Sequence, residues 1–516
     1  MRNRDVAEML DRAARILSLR GENRYRVRAY KRASRAVASC PEEIEKLIQT
    51  NRLQSLEGVG AGLAAKIKEI VRTGSLAMLE RVETGNLPEI DEGKQILLAS
   101  ALMLSSEIMP ELEALPGIKM VRMTGDTRRR PELVRGTEII VASDDPALAR
   151  NSLQTYDKLH RLRWDGNFCR AVHSFGVGLT LYLVSEEDFP LTLWVTTGTT
   201  AHTQAVAAKI REVTGYDILS QQTESVEPRF TNEEDIYRLA GMPWIPPELR
   251  ENRGEIEAAL EDCLPILVQP ADYQGDLHVH SDWSDGTAGV EKMVEAAVEL
   301  GYKYIAVTDH SRSLKIARGL SLERLADQRA YIASLQKKHT GIRILTGIEA
   351  DILDDGSVDA PDDILADLDV VVASIHSGFK QSREKMTARI CRAMENPYVG
   401  MIGHATGRLL GKRDPYEVDM NEVIRVAAAT GTALEINSSP DRLDINGQFS
   451  RQANEAGVMV AINTDAHSQL ELANVILGIS MARRGWLTGD HILNTKSAAE
   501  VIAWLKEKKK RQANLS

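Results

Sequence analysis

Seven short apolar runs in the second half of the chain constrain its fold more than any other feature: Asp276–His280, Lys303–Thr308, Arg343–Ile348, Asp369–Ile375, Val399–Gly403, Ala433–Ile436 and Val458–Asn463. Helical stretches such as VEKMVEAAVELG and NEVIRVAAATG separate them. Strands that alternate with helices pair in parallel, and this spacing predicts a β/α barrel. Nearly every run ends at or beside a side chain able to bind metal: His280, Asp309 with His310, Glu349, His376, His404, Glu435, and Asp465 followed by His467. Barrel enzymes build their sites at the C-terminal ends of the strands, so these side chains are expected to meet at one mouth.

The ligand types restrict the chemistry. In DLHVH, His278 and His280 lie two apart on a strand and project from one face, where they can chelate one ion; Asp285 follows in the turn. Imidazoles mixed with carboxylates suit Zn, Mn or Fe better than Mg or Ca, and a carboxylate such as Glu349 can bridge two ions. Clustered ions make hydroxide at neutral pH and hold the attacking and leaving oxygens of a phosphoester. A lone histidine at a strand end is as readily a packed residue as a ligand. Here six of the chain's 11 histidines stand at such ends, whereas His339 and His491 fall in polar stretches expected at the surface.

DLHVHSDWSDG, VTDHS, GIEADI, ASIHS, GHATGR, EINSSP and NTDAHS resemble the successive motifs of the PHP (polymerase and histidinol phosphatase) domain, from about Tyr273 to the last helices. The resemblance implies a distorted seven-stranded β/α barrel that hydrolyses phosphoesters. It also implies up to three divalent ions, Mn or Zn foremost and Fe as a further candidate. Their ligands would be His278, His280, Asp285, His310, Glu349, His376, His404, Asp465 and His467, with His278, His280, Glu349 and Asp465 as the catalytic core. Lys380 and Arg408 are candidate phosphate contacts, with a solvated face as the alternative for each.

At 516 residues the chain holds several domains. Its net charge of −10 excludes a uniformly DNA-coating protein, yet Asp11–Cys40 carries nine basic and two acidic residues, 9 − 2 = +7. The helical pattern of residues 1–83 ends in LEGVGAGLAAKIKEI, which resembles a helix-hairpin-helix motif whose glycine turn offers backbone N–H groups to a DNA phosphate. IKMVRM, GTEIIVAS and GLTLYLV predict strands of an α+β domain at 84–227. A linking arm at 228–270, containing WIPPELRENRGEIEAA, leads to the barrel at 271–516. The whole order resembles bacterial family X DNA polymerases that carry a PHP domain: a helical helix-hairpin-helix domain, a nucleotidyltransferase-like palm and a distorted (β/α)7 barrel. This implies DNA contacts at Arg26, Arg28, Lys31, Gly58, Gly60 and Lys66, the last matching a lysine that forms a Schiff base with abasic sugars in eukaryotic members.

The stretch TGDTRRRPELVRGTEIIVAS departs from that family. Asp126 stands where its turn serine belongs, Gly136 and Glu138 replace the first two metal-binding aspartates, and Thr180 replaces the third. No second helix-hairpin-helix segment precedes LPGIKMVRM. Nucleotide transfer is therefore expected to be lost, and Arg128, Arg129 and Arg130 either meet phosphates or form a solvated turn. The expectation is a metal-dependent phosphoesterase of DNA repair acting on gapped, single-stranded or abasic DNA, as a 3′-5′ exonuclease, a 3′-end processing enzyme or an abasic-site endonuclease. The other readings are a DNA-binding scaffold with a structural barrel, an active gap-filling polymerase and a small-molecule phosphatase. Four scattered cysteines and the lack of a bilayer-length apolar run predict a reduced cytoplasmic setting without a membrane partner.

Overall fold

A computed structural model describes residues 1–19, 22, 24–79, 95–220 and 229–513. The boundaries expected at 83/84 and 227/228 lie outside the described residues. The chain divides into two compact units, Met1–Asp262 and Cys263–Ser516.

In the first unit, helix α1 (Asn3–Leu19) buries Val6, Leu10, Ala13, Ala14 and Leu17, a stripe set by their three- and four-residue spacing. It packs on α2 (Arg24–Ala38), which buries Val27, Tyr30, Ala33 and Val37 and leaves Arg26, Arg32 and Arg35 exposed. Helix α3 (Ala61–Thr73) starts after Gly60 and stops at Gly74, whose φ of 78° closes it. Helix α4 (Leu98–Glu113) joins the same core through Leu104, Ile108 and Leu112. A five-stranded sheet follows, built of β1 (Met120–Met123), β2 (Thr137–Ala142), β3 (Leu159–Asp165), β4 (Phe168–His173) and β5 (Gly178–Val184) in the order β1-β2-β5-β4-β3. Only the β2–β5 pair is parallel among these. The β3–β4 hairpin is absent from the expected strands. A register shift between His160 and Arg163 interrupts the alternation that would have announced β3.

Residues 229–262 correct the expected linking arm, because they are stitched into this first unit. Helix α5 (Thr200–Thr214) meets α6 (Glu233–Leu239) through His202, whose ring nitrogens lie 2.6 Å from Glu255 Oε1 and 2.9 Å from the Tyr237 hydroxyl. Arg250, fully buried, donates to Glu233 Oε1 at 2.5 Å and to the Ile245 carbonyl at 2.8 Å. Prolines and charges read as a linker until the charges are found paired inside.

The second unit is the expected barrel. Its seven strands are parallel and in chain order: β6 (Gly275–Val279), β7 (Tyr304–Val307), β8 (Arg343–Asp351), β9 (Val370–Ser374), β10 (Met401–Ile402), β11 (Ala433–Asn437) and β12 (Val460–Asn463). The ring closes where Asp465 N donates to the His278 carbonyl at 3.0 Å and His280 N to that of Ala466 at 2.9 Å. Alternation puts Leu345, Gly347 and Glu349 on one face of β8, and Ala433, Glu435 and Asn437 on one face of β11. Leu345 and Ala433 belong to an apolar floor with Val370, Val372 and Met401, into which the last helix, α7 (Ala498–Ala513), inserts Val501 and Leu505. Each strand thus runs from a dry floor to a polar rim.

Candidate metal centre

Glu349 lies at the middle of the rim, 1% exposed. Its Oε2 is 2.8 Å from His310 Nδ1 and 3.4 Å from Nε2 of both His278 and His280. Its Oε1 is 3.1 Å from His404 Nε2 and 3.4 Å from His376 Nε2. Asp465 Oδ1 lies 3.1 Å from His280 Nε2, and Asp285 Oδ1 lies 3.1 Å from His467 Nε2. Donor atoms within 4.8 Å of one another fall into three groups: His280, Asp285, His310 and His467; His278, His280 and Asp465; His310, Glu349 and His376. His404 joins through Glu349. The barrel therefore brings all nine expected ligand residues together.

These donors fit divalent cations. Glu349 Oε2 and His310 Nδ1 lie 2.8 Å apart, and Asp285 Oδ1 lies 3.1 Å from His467 Nε2, yet these buried atoms, with His280 Nδ1 and His404 Nδ1, form no hydrogen bond of acceptable geometry. One such atom costs about 1–3 kcal/mol, so several in one cavity of nitrogen and carboxylate donors describe a cation-binding set. Burial opposes ionisation of Glu349, but the imidazoles of His376, His278 and His310 overcome it and hold the carboxyl well below its usual range. Burial, reinforced by the neighbouring His467 and His310, pushes His280 down to about 3. Burial opposes charge on His278 and His376 too, but the carboxylates of Glu435, Glu349 and Asp351 outweigh it and hold both above the ordinary value, His376 at about 9, so a cation that bound there would displace protons.

A second set of residues aims the first. His278 Nδ1 lies 2.7 Å from Glu435 Oε1, and Glu435 Oε2 accepts from His404 N at 2.8 Å. His376 Nδ1 lies 2.6 Å from Asp351 Oδ1. Asp309, beside His310 in the sequence, faces away: it accepts from Ser281 N at 2.8 Å and from Gln328 Nε2 at 2.6 Å. Asp309 and Glu435 thus support the centre from behind. The role of Asp351 was not anticipated, although its two-residue spacing from Glu349 signalled a shared face. His404 and Asp465 have φ of 29° and 52°, a left-handed backbone that non-glycine residues adopt at some cost. His339 lies 3.6 Å from Glu291, and His491 pairs with Thr488 Oγ1 at 3.0 Å, both outside the metal-ligating groups.

Of the candidate phosphate contacts, Lys380 is exposed four residues beyond His376. Arg408 instead spends Nε on the Arg442 carbonyl at 2.9 Å and Nη2 on that of Leu443. In the helical region, Arg26 lies 3.3 Å from Glu22, Arg28 and Lys31 are half-buried, and Lys66 pairs with Glu69 at 2.7 Å. Gly58 has φ of 75° and packs on the Arg32 stem, while Gly60 borders open space.

In the sheet of the first unit, Glu138 and Thr180 are register partners on β2 and β5. Glu138 Oε2 accepts from Asp126 N at 2.6 Å, and burial raises its carboxyl to about 7. Gly136 has φ of 142°, and a side chain there would meet the Gly178 carbonyl at 2.7 Å. Arg128 donates to Glu233 Oε1 and to Thr197 Oγ1, both at 2.8 Å, and Arg129 donates to the Thr197 carbonyl at 2.5 Å. Arg128 and Arg129 are thus paired within the first unit rather than standing in a solvated turn.

Three family models match the chain: a helix-hairpin-helix domain at residues 1–76, a DNA polymerase beta thumb at 192–251 and a PHP domain at 276–439. The thumb match runs across the boundary expected at 227/228. Over 98% of its length the chain is 32% identical to the DNA polymerase/3′-5′ exonuclease PolX of Bacillus subtilis (strain 168), covering 100% of that protein. Over 46% of its length the chain is 30% identical to a "Probable phosphatase" of Thermoanaerobacter sp. (strain X514), covering 96% of it. Over 46% of its length it is also 30% identical to another of that description from Caldanaerobacter subterraneus, covering 92%. Among the described residues, no helix is long and apolar enough to cross a membrane.

Proposed function

The chain belongs to the family of the DNA polymerase/3′-5′ exonuclease PolX, and from that premise we propose that it is a metal-dependent DNA phosphoesterase of DNA repair in which nucleotide transfer is lost. The observation that carries this reading is the clustering of nine candidate ligand residues at one end of the barrel, five imidazoles around Glu349 with Asp285, Asp465 and His467 beside them, in overlapping groups whose donor atoms lie within 4.8 Å of one another. Bound divalent ions would supply hydroxide at neutral pH and positive charge for the phosphate oxygens. The chain's own residues do the rest. Glu435 and Asp351 hold His278 and His376 so that each presents Nε2 to the centre. Arg26, Arg28, Lys31 and the Gly58–Gly60 turn, with Lys66 on the helix beyond it, offer a surface for DNA phosphates. Gly136 and Thr180 lack carboxylates, and Glu138 is occupied by the Asp126 amide, which supports the loss of polymerase chemistry.

The test is full-length protein with Mn²⁺ on 5′-labelled single-stranded, gapped and abasic DNA. A ladder shortened from the 3′ end identifies an exonuclease, a single internal product an abasic-site endonuclease, and loss of a terminal phosphate a 3′-end processing activity. No product from metal-loaded protein on any substrate rejects the reading. The kinship of the barrel with proteins described as probable phosphatases favours one second reading, hydrolysis of phosphomonoesters. Phosphate release from small esters, compared with release from a 3′-phosphorylated oligonucleotide, separates the two.

A further inference from the structure

The loop after β11 carries a charge that the barrel leaves unsatisfied. Arg442 is 7% exposed, and its Nε has no hydrogen-bond partner. Among the described residues its one ion-pair contact is Asp465 Oδ2 at 3.6 Å, beyond hydrogen-bonding range. That oxygen already faces Asn437 Nδ2 at 3.2 Å. Other buried arginines behave differently. Arg250 is held by Glu233 and the Ile245 carbonyl, and Arg389 gives Nε to the Leu353 carbonyl at 2.7 Å and Nη1 to that of Ser377 at 3.0 Å. A charged donor such as Arg442 Nε, buried without a hydrogen-bond partner, is costly unless an anion completes the site.

The loop is built to keep this side chain in place. Arg442 N donates to the Ser439 carbonyl at 2.9 Å, and Arg408 clamps the carbonyls of Arg442 and Leu443 from below. Asn437 N donates to the Asp444 carbonyl at 2.6 Å, and Asp444 Oδ2 accepts from Thr406 N at 2.9 Å. The guanidinium consequently stands beside the ligand Asp465.

We propose that Arg442 is a catalytic residue whose guanidinium binds a non-bridging oxygen of the scissile phosphate. This deepens the reading of the barrel as a DNA phosphoesterase and rests on it. In hydrolysis a water oxygen bonds to phosphorus, the bond from phosphorus to the 3′ oxygen breaks, and that oxygen departs as a hydroxyl with one of the water's protons. Negative charge grows on the non-bridging oxygens as the phosphorus adds its fifth ligand, and a fixed guanidinium is favoured there because it needs no reorganisation. Arg442 gives up no proton at any stage.

The test uses full-length, Mn²⁺-loaded protein with inorganic phosphate as the probe. Calorimetric phosphate titration, Mn²⁺ content and the kcat and KM for a labelled oligonucleotide are compared among wild type, Arg442→Met and Arg442→Lys. The expected result is unchanged Mn²⁺ content and a phosphate dissociation constant raised about ten- to a hundredfold in Arg442→Met, with kcat lowered at least as much and Arg442→Lys between the two. If Arg442→Met does not fold, Arg442→Gln carries the same comparison. Unchanged phosphate affinity in the uncharged variant overturns the proposal. So does parallel loss of Mn²⁺ and phosphate, which would make Arg442 a charge partner for Asp465. Arg442-dependent phosphate binding in a protein that cleaves no DNA would remove the DNA phosphoesterase reading and leave the anion site. Equal cleavage by wild type and variants would remove this inference alone.

Discussion

Replacing a residue that contributes one donor to a shared cluster lowers function without dismantling the barrel, because the remaining donors still hold some metal. His278 contacts the centre through Nε2 and Asp465 through Oδ1. His278→Ala and Asp465→Ala are therefore expected to lower turnover on the order of a hundredfold or more, with far-UV circular dichroism unchanged and metal per chain reduced. Wild-type turnover in both would reject the assignment. Glu138 makes a different prediction. Its folded value, raised by burial to about 7, exceeds the ordinary 4.5, so the folded state holds a proton that the unfolded chain releases between those values. The stability it contributes is full below pH 4.5 and is lost as pH rises through 7. Glu138→Gln should match wild type near pH 4 and exceed it by about 3 kcal/mol above pH 7, read from denaturant midpoints. A gain independent of pH would show that the Asp126 amide, not burial, governs this carboxyl.

At the scale of elements, the barrel separates stability from chemistry along each strand. Leu505 of α7 packs into the apolar floor with Leu345, Val370 and Met401, at the end of the strands opposite the ligands. Leu505→Ala should cost about 2–5 kcal/mol of unfolding free energy and leave Mn²⁺ stoichiometry unchanged. Loss of metal in that variant would mean that floor and rim are not independent. The seven strands were legible because each is a short apolar run ending in a polar residue, a local pattern. The β3–β4 hairpin was not, because the irregularity between His160 and Arg163 hides its alternation. The stretch 229–262 was misread because Arg250 and Glu233 look solvated in sequence and are buried partners in space.

For the whole molecule, charge is segregated: +7 within Asp11–Cys40 in a chain of −10. DNA affinity carried by the helical region should be mainly electrostatic and indifferent to sequence. Each neutralised phosphate contributes about −0.7 on single strands and about −0.9 on duplex to the slope of log affinity against log salt. Replacing Arg26, Arg28 and Lys31 together by alanine should weaken binding and flatten that slope by up to about 2–3, without changing hydrolysis of a small chromogenic phosphodiester. A slope equal to the wild type's would place the DNA contacts elsewhere.

What the sequence by itself determined is whatever depends on near neighbours. His278 and His280 share a strand face through their two-residue spacing, and the strand-end positions of Glu349, His376 and Asp465 make convergence follow from barrel geometry. What only the tertiary structure decided is which charge meets which. Asp309 adjoins a ligand yet faces Ser281 and Gln328, and Arg408 adjoins His404 yet braces backbone. Arg442, in no motif that drew attention, is the guanidinium beside Asp465. Arg128 finds Glu233 across 105 residues. Such pairings have no period and no fixed spacing, because a buried charge is satisfied by whatever the folded chain brings within reach, and that is a property of packing.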